Sequence, residues 1–162
     1  RSNLAGLRCG FAAGAPAFMD RFRRFRNQAA PQVPVPIQAV AVRAFADEVH
    51  VARNRRLYDA KFAAAAEILG DLFEDVVPPA GFFLWLDLAR HGIADDAAFA
   101  RALWAESGVK AVPGSYLALT GPDHNNPGGG FLRLALVDDL AAVRSALRRL
   151  RDVLVARANK GM

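Results

Sequence analysis

The sequence predicts an α/β chain in which helices cover one face of a small sheet, and three patterns carry that expectation. The second half reads strand, helix, strand, strand, helix. Its helices bear single apolar stripes, which a short sheet can bury. Aspartates stand before those helices, and a glycine or proline punctuates most of the remaining boundaries.

From Leu4 to Ala13, small and apolar residues alternate around Gly6, Gly10 and Gly14, which predicts a turn feeding a short buried strand. Pro16 suits the first turn of a helix in which Phe18, Phe22 and Phe25 fall on one stripe, a stripe expected to be core. Arg21, Arg23, Arg24 and Arg26 take mostly the other faces. Pro31, Pro34 and Pro36 predict a stiff extended connection. The chain is then helix-rich from Ile37 to Gly70, with Asp47 and Glu48 as start signals for a long segment through Leu57, Ala60, Ala64, Ile68 and Leu69.

Pro78, Pro79 and Gly81 precede an aromatic-rich strand, Phe82 to Leu88. Asp95 or Asp96 caps a helix carrying Phe99, Leu103 and Trp104, which Gly108 ends. Val109 to Val112 is a short strand closed by Pro113 and Gly114. A loop from Gly121 to Gly130 leads to the strand Phe131 to Val137. Asp138 or Asp139 then caps a final helix with Leu140, Val143, Leu147, Leu150 and Leu154 on one stripe.

Composition excludes several classes. With 53% hydrophobic residues in 162, the chain has material for a core and is not a disordered tail. No apolar run reaches the roughly 18 to 20 residues that span a bilayer, so no membrane partner is expected. One cysteine, Cys9, forms no internal disulfide, and no Cys/His cluster has zinc-ligand spacing, a usage compatible with a cytoplasmic location. The net charge of +5 raises nucleic acid as a partner. The helical spacing of the phenylalanines among the arginines answers it, since a solvated basic face over an apolar stripe explains the same residues and no nucleic-acid partner is expected.

Arg133 stands inside the apolar strand as Phe131, Leu132, Arg133, Leu134. A buried guanidinium needs an anion, and its planar fork suits a carboxylate; an arginine on the solvent face of an edge strand is the alternative. Arg8, between Leu7 and Cys9, poses the same choice between a phosphate ligand and a surface position. His50, His91 and His124 accompany no nucleophile motif, and Gly128 to Gly130 lacks the Lys-Ser/Thr of a phosphate-binding loop.

The opening RSNLAGLRCGFAAG resembles the stretch that follows the cofactor lysine in the fold-type I (class I/II) pyridoxal-phosphate aminotransferases. PPAGFFLWLDL, VKAVPGSYLAL and NPGGGFLRLALV continue the resemblance, in the order of that family's C-terminal part, over nearly the whole chain. The wording is most similar to succinyldiaminopimelate aminotransferases, which exchange an amino group between glutamate and N-succinyl-2-amino-6-oxopimelate in lysine biosynthesis. Relatives acting on aromatic amino acids, methionine or diaminopimelate share much of the pattern.

The resemblance implies that residues 1–46 are the end of a large cofactor-binding domain with connecting helices, and residues 47–162 a small C-terminal α/β domain with a long connecting helix. It implies pyridoxal 5'-phosphate as cofactor, with Arg8 on its phosphate, and amino acid and 2-oxo acid substrates, with Arg133 on the α-carboxylate. Ser115 and Tyr116, with Gly114, would line the mouth of the site as substrate-binding residues, and Gly81 with Phe82 would pack nearby. The catalytic lysine is expected immediately before Arg1, because Lys61, Lys110 and Lys160 stand in other settings. The chain by itself is therefore expected not to transaminate, and to need a complementary N-terminal part and a homodimeric assembly. A non-catalytic ligand-binding domain of a regulator is the alternative from another class.

Overall fold

The computed structural model describes residues 4–30 and 32–160. Arg1, before which the cofactor lysine is expected, and Pro31 of the expected connection lie outside the described residues. The chain separates into two compact units, Arg1–Arg55 and Arg56–Met162. The division falls within the long helix Val49–Leu69.

The first unit holds a 3-10 turn at Ala5–Leu7, helix α1 (Pro16–Ala29), helix α2 (Val35–Ala46) and the beginning of α3 (Val49–Leu69). The strand expected between Leu4 and Ala13 does not form. The turn closes on Arg8 in a left-handed conformation, and the chain then runs irregularly to Ala15. A strand needs a neighbour for its backbone groups, and no described residue of this unit is in one. Pro16 opens α1 as expected. Its phenylalanine stripe forms too, but the expectation that it is core is corrected. Phe18 and Phe25 are 62% and 65% exposed, and the Phe18 and Phe22 rings stack with centroids 6.2 Å apart.

Pro34 caps α2, and Pro36 sits in its first turn, where a missing N–H costs nothing. Pro36 thus belongs to the helix and not to the connection. Asp47 starts α3 as expected: its Oδ1 accepts the Val49 N–H at 2.9 Å, and its Oδ2 lies 2.9 Å from His50 Nδ1.

In the second unit a three-stranded antiparallel sheet has β3 (Phe131–Ala135) between β1 (Phe83–Asp87) and β2 (Val112–Pro113). Trp85 and Val112 both stand opposite Arg133. β2 is shorter than expected and contains Pro113, tolerated because an edge strand can spare an N–H. Alternation sends Leu84, Leu86, Leu132 and Leu134 to the buried face. Phe83, Trp85, Phe131 and Arg133 stay partly accessible on the other.

Helices α4 (Asp96–Ser107) and α5 (Leu140–Lys160) complete the unit. Asp95 caps α4 by accepting the Ala98 N–H at 2.7 Å, and Gly108 ends it with φ near 70°. Asp139 caps α5 on the Ala142 N–H at 2.8 Å, and Val143, Leu147, Leu150 and Leu154 are buried as one stripe. The stripe expected on α3 is half right. Leu57 and Ala60 are exposed, whereas Lys61, Ala64, Ala65, Ile68 and Leu69 are buried. Lys61 is tolerated there because its Nζ donates to the Leu136 carbonyl at 2.8 Å and lies over the Tyr58 ring.

Ion pairs tie the outer faces together. Arg144 grips Glu67 through both guanidinium nitrogens at 3.0 and 2.6 Å, Arg151 grips Asp71, and Arg90 meets Glu74 at 2.8 Å. Each of these arginines holds its partner carboxyl below the usual range. Among the described residues no helix is long and apolar enough to cross a membrane.

Candidate anion-binding site

Arg133 occupies the middle of the middle strand. The reading of it as an edge-strand arginine is thereby removed. Its neighbours Leu132 and Leu134 are 0% and 4% exposed, so alternation turns Arg133 to the face away from the core. The guanidinium carbon lies 4.6 Å from the centroid of the Phe83 ring. The ring face attracts the cation and helps to fix the side chain. No carboxylate pairs with it among the described residues. The side chain is half-buried and lines a cavity of about 480 Å³, with Tyr116, Val112 and Pro113 beside it.

Ser115 lies in the 3-10 turn Gly114–Tyr116 that follows β2. Its backbone N–H donates to Asp96 Oδ2 at 2.7 Å and its hydroxyl to Asp96 Oδ1 at 2.9 Å. The hydroxyl proton is thus committed to Asp96, and a ligand could use only the oxygen's acceptor capacity. The Ser115 carbonyl accepts the Asn126 side-chain amide at 2.9 Å, and Asn126 Oδ1 accepts the Gly128 N–H at 2.9 Å. Asp96, read in the sequence only as a rival helix cap, in fact fixes this turn. Nothing in one sequence distinguishes the two roles, because the contact spans 19 positions.

Tyr116, 69% exposed, reaches the cavity of Arg133. Gly81 takes φ near 106°, a conformation that favours glycine, and delivers Phe82, whose ring lies 4.0 Å from that of Phe83. Arg133 and Tyr116 therefore line one cavity, whereas Phe82 does not line it and packs beside Tyr58, with ring centroids 5.9 Å apart. Arg8 belongs to the first unit. It is exposed, its φ is near 52°, and its backbone N–H closes the Ala5–Leu7 turn on Ala5 O at 3.2 Å. Its side chain has no acidic partner among the described residues. An accessible guanidinium with no acidic partner, beside a glycine turn, is of a chemistry that suits a phosphate dianion.

The histidines have other partners or settings. His50 pairs with Asp47, His91 Nε2 lies 3.2 Å from the Leu72 carbonyl, and His124 stands in the glycine loop with φ near 61°. None of them lines the Arg133 cavity.

An arginine without an acidic partner among the described residues, presented from a central strand, can receive a small anion. Residues 1–150 match the family model "Aminotransferase class I and II", and the chain belongs to that family. The chain is similar to an aminotransferase of Neisseria meningitidis, with a TM-score of 0.77 and 38% identity over 94% of this chain and 38% of that one. A probable N-succinyldiaminopimelate aminotransferase of Thermus thermophilus matches with a TM-score of 0.73 and 31% identity over 93% of this chain and 38% of that one. Among curated proteins, the 4-dedimethylamino-4-oxo-anhydrotetracycline transaminase of Streptomyces rimosus is 31% identical over 93% of this chain and 39% of its own length. An LL-diaminopimelate aminotransferase of Dehalococcoides mccartyi is 28% identical over 83% of this chain and 33% of its own. The chain thus spans about a third to two fifths of the relatives it matches.

Proposed function

We propose that this chain is the anion-gripping part of a pyridoxal-phosphate aminotransferase whose substrates are N-succinyl-2-amino-6-oxopimelate and glutamate. The observation that carries the reading is Arg133, lying over the Phe83 ring, half-buried on the central strand and without a carboxylate partner among the described residues. The probable N-succinyldiaminopimelate and LL-diaminopimelate aminotransferases among its relatives support the substrate. In this reading residues 1–46 close a large cofactor-binding domain and residues 47–162 form the small one.

The cofactor, when bound, supplies the electron sink for amino exchange. Arg8 holds its phosphate. The Arg133 fork takes the substrate α-carboxylate through two parallel N–H donors, which fixes the substrate about that end and so orients its reacting carbon. Ser115, held on Asp96, sets the height of the turn, and Tyr116 narrows the mouth against water. The lysine that holds the cofactor is assigned to the residue before Arg1, in a longer protein that acts as a homodimer. The transaminase of Streptomyces rimosus, as similar as the Thermus protein, favours a second reading in which the amino acceptor differs while the two arginines keep their roles.

The test is amino transfer by the longer protein carrying this chain, with glutamate as donor and N-succinyl-2-amino-6-oxopimelate as acceptor. Transfer is expected, with Arg133→Leu raising KM for both substrates by about 100-fold. The 162-residue chain alone is expected to be inactive. Transfer only to other 2-oxo acids would select the second reading, and an Arg133→Leu protein with unchanged KM would remove the role of Arg133.

A further inference from the structure

A buried cation that the proposed chemistry leaves unused is Lys61. It is 8% exposed, in the stripe of α3 that holds Ala64, Ala65, Ile68 and Leu69, and an ammonium there costs free energy unless its donors are met. They are met without a carboxylate. Nζ donates to the Leu136 carbonyl at 2.8 Å and to that of Val137 at 3.5 Å, and it lies 4.7 Å from the centroid of the Tyr58 ring. Two carbonyls and one ring face thus stand against the three N–H donors of a lysine.

Those partners lead to Arg133. Leu136 follows the last residue of β3, and its N–H donates to the Phe82 carbonyl at 3.0 Å, which carries the pairing of β1 and β3 one step past Ala135. Lys61 therefore ties the end of the strand bearing Arg133 to α3. Tyr58, one turn earlier on the same helix, has its ring 5.9 Å from that of Phe82, and the Phe82 ring lies 4.0 Å from that of Phe83. Phe83 pairs with Ala135 and so stands diagonal to Arg133, whose guanidinium carbon lies 4.6 Å from its ring centroid. One face of α3 thus grips both strands at the rung next to the Phe83–Arg133 contact.

We infer that Lys61, with Tyr58, is a positioning residue for Arg133: it pins the Leu136 end of β3 and the Phe82–Phe83 pair to α3, so that the Phe83 ring holds the guanidinium in place for a carboxylate. The inference rests on the reading of Arg133 as the carboxylate's partner. An apolar residue in place of Lys61 would fill the space but leave the carbonyl of Leu136, itself only 1% exposed, without that donor. The strand end and the ring are then free to shift, and a bidentate contact is sensitive to small displacements.

Calorimetric titration of the chain with propionate, beside the NMR signal of the Arg133 Nε–H group, tests this. The signal is identified by its loss in Arg133→Gln, and Phe83→Leu shows where it falls without the ring. Lys61→Met is expected to weaken propionate binding about fivefold and to move the signal towards its Phe83→Leu position. Lys61→Arg, which keeps the charge and a donor, should restore both. Lys61→Met combined with Phe83→Leu should bind no more weakly than the weaker single variant, since both act through one contact, and losses that multiply would overturn that route. Leu154→Ala, a buried change on α5, controls for lost stability and should leave affinity and signal as they are. If Lys61→Met does not fold, Tyr58→Leu takes its place, with an expected loss of about threefold. Unchanged affinity and signal in the folded variant, or an equal loss in Leu154→Ala, would overturn the positioning role, and Arg133 keeps its own role provided that Arg133→Gln loses propionate. Propionate binding retained by Arg133→Gln, or absent from the unaltered chain, ends the reading of Arg133 and the inference with it.

Discussion

Both carboxylate oxygens of Asp96 are taken by Ser115, one by its backbone N–H at 2.7 Å and the other by its hydroxyl at 2.9 Å. Asp96 is only 4% exposed, so this pairing compensates the cost of removing a carboxylate from water. It also joins the first turn of α4 to the turn after β2, whose Tyr116 lines the Arg133 cavity. Asp96→Ala is therefore expected to destabilise the chain by about 1 to 3 kcal/mol, because the Ser115 N–H loses its acceptor. Ser115→Ala removes one bond only and should cost about 1 kcal/mol. Urea unfolding measures both, and equal costs would show that the backbone bond contributes nothing.

Arg133→Lys separates charge from geometry. The lysine keeps the positive charge but not the fork or the flat face that rests on Phe83 at 4.6 Å. Propionate affinity is expected to fall by about tenfold, with the unfolding midpoint little changed. Retention of full affinity would mean that only the charge of Arg133 matters. Phe83→Leu is the companion variant, expected to weaken binding less than Arg133→Lys because the fork survives.

Much of this unit was legible in the sequence because it is encoded locally. The α4 cap, its Gly108 stop and the α5 stripe each depend on residues within a few positions, and they appear where expected except for Leu140, which is exposed at the start of α5. The phenylalanine stripe of α1 was equally legible as a pattern, yet periodicity says which residues share a face and not what covers it. Lys61 illustrates the opposite failure. Its burial depends on carbonyls at Leu136 and Val137, more than 70 positions away, which no local rule anticipates. Arg133 could be singled out by its apolar neighbours, but its place on the central strand required the register.

Acid should loosen the helical layer through two carboxylates. Arg144 holds Glu67 below its ordinary value of 4.5, and Arg151 holds Asp71 below 3.8. For a depressed carboxyl the folded state binds its proton less readily than the unfolded chain does, so the contribution is complete above the ordinary value and is lost as pH falls through the folded one. Thermal unfolding from neutral pH downwards should therefore show a midpoint that holds until the region of these ordinary values and declines below it. Both pairs are largely exposed, so the effect is small and should shrink in high salt. An Arg144→Gln, Arg151→Gln chain should show a shallower decline, and an identical acid profile would remove these pairs from the explanation.

Gly114 and Gly128 lie back to back where the turn after β2 meets the loop before β3. A methyl group on Gly114 would come within 2.8 Å of the Phe131 Cβ as well as striking the Gly128 carbonyl, and one on Gly128 would strike Gly114 in return. Neither φ is left-handed, so the requirement for glycine is one of space. Alanine at either position must push the two segments apart, at a cost of about 1 to 3 kcal/mol. The displacement falls on Phe131, whose ring stacks on Trp85 with centroids 5.4 Å apart, on the strand positions flanking Arg133. In a Trp104→Phe background, which leaves Trp85 as the sole indole, Gly114→Ala should change the emission of Trp85 and lower propionate affinity together. Lower stability with unchanged emission and affinity would show that the strain is absorbed in the loop before it reaches β3.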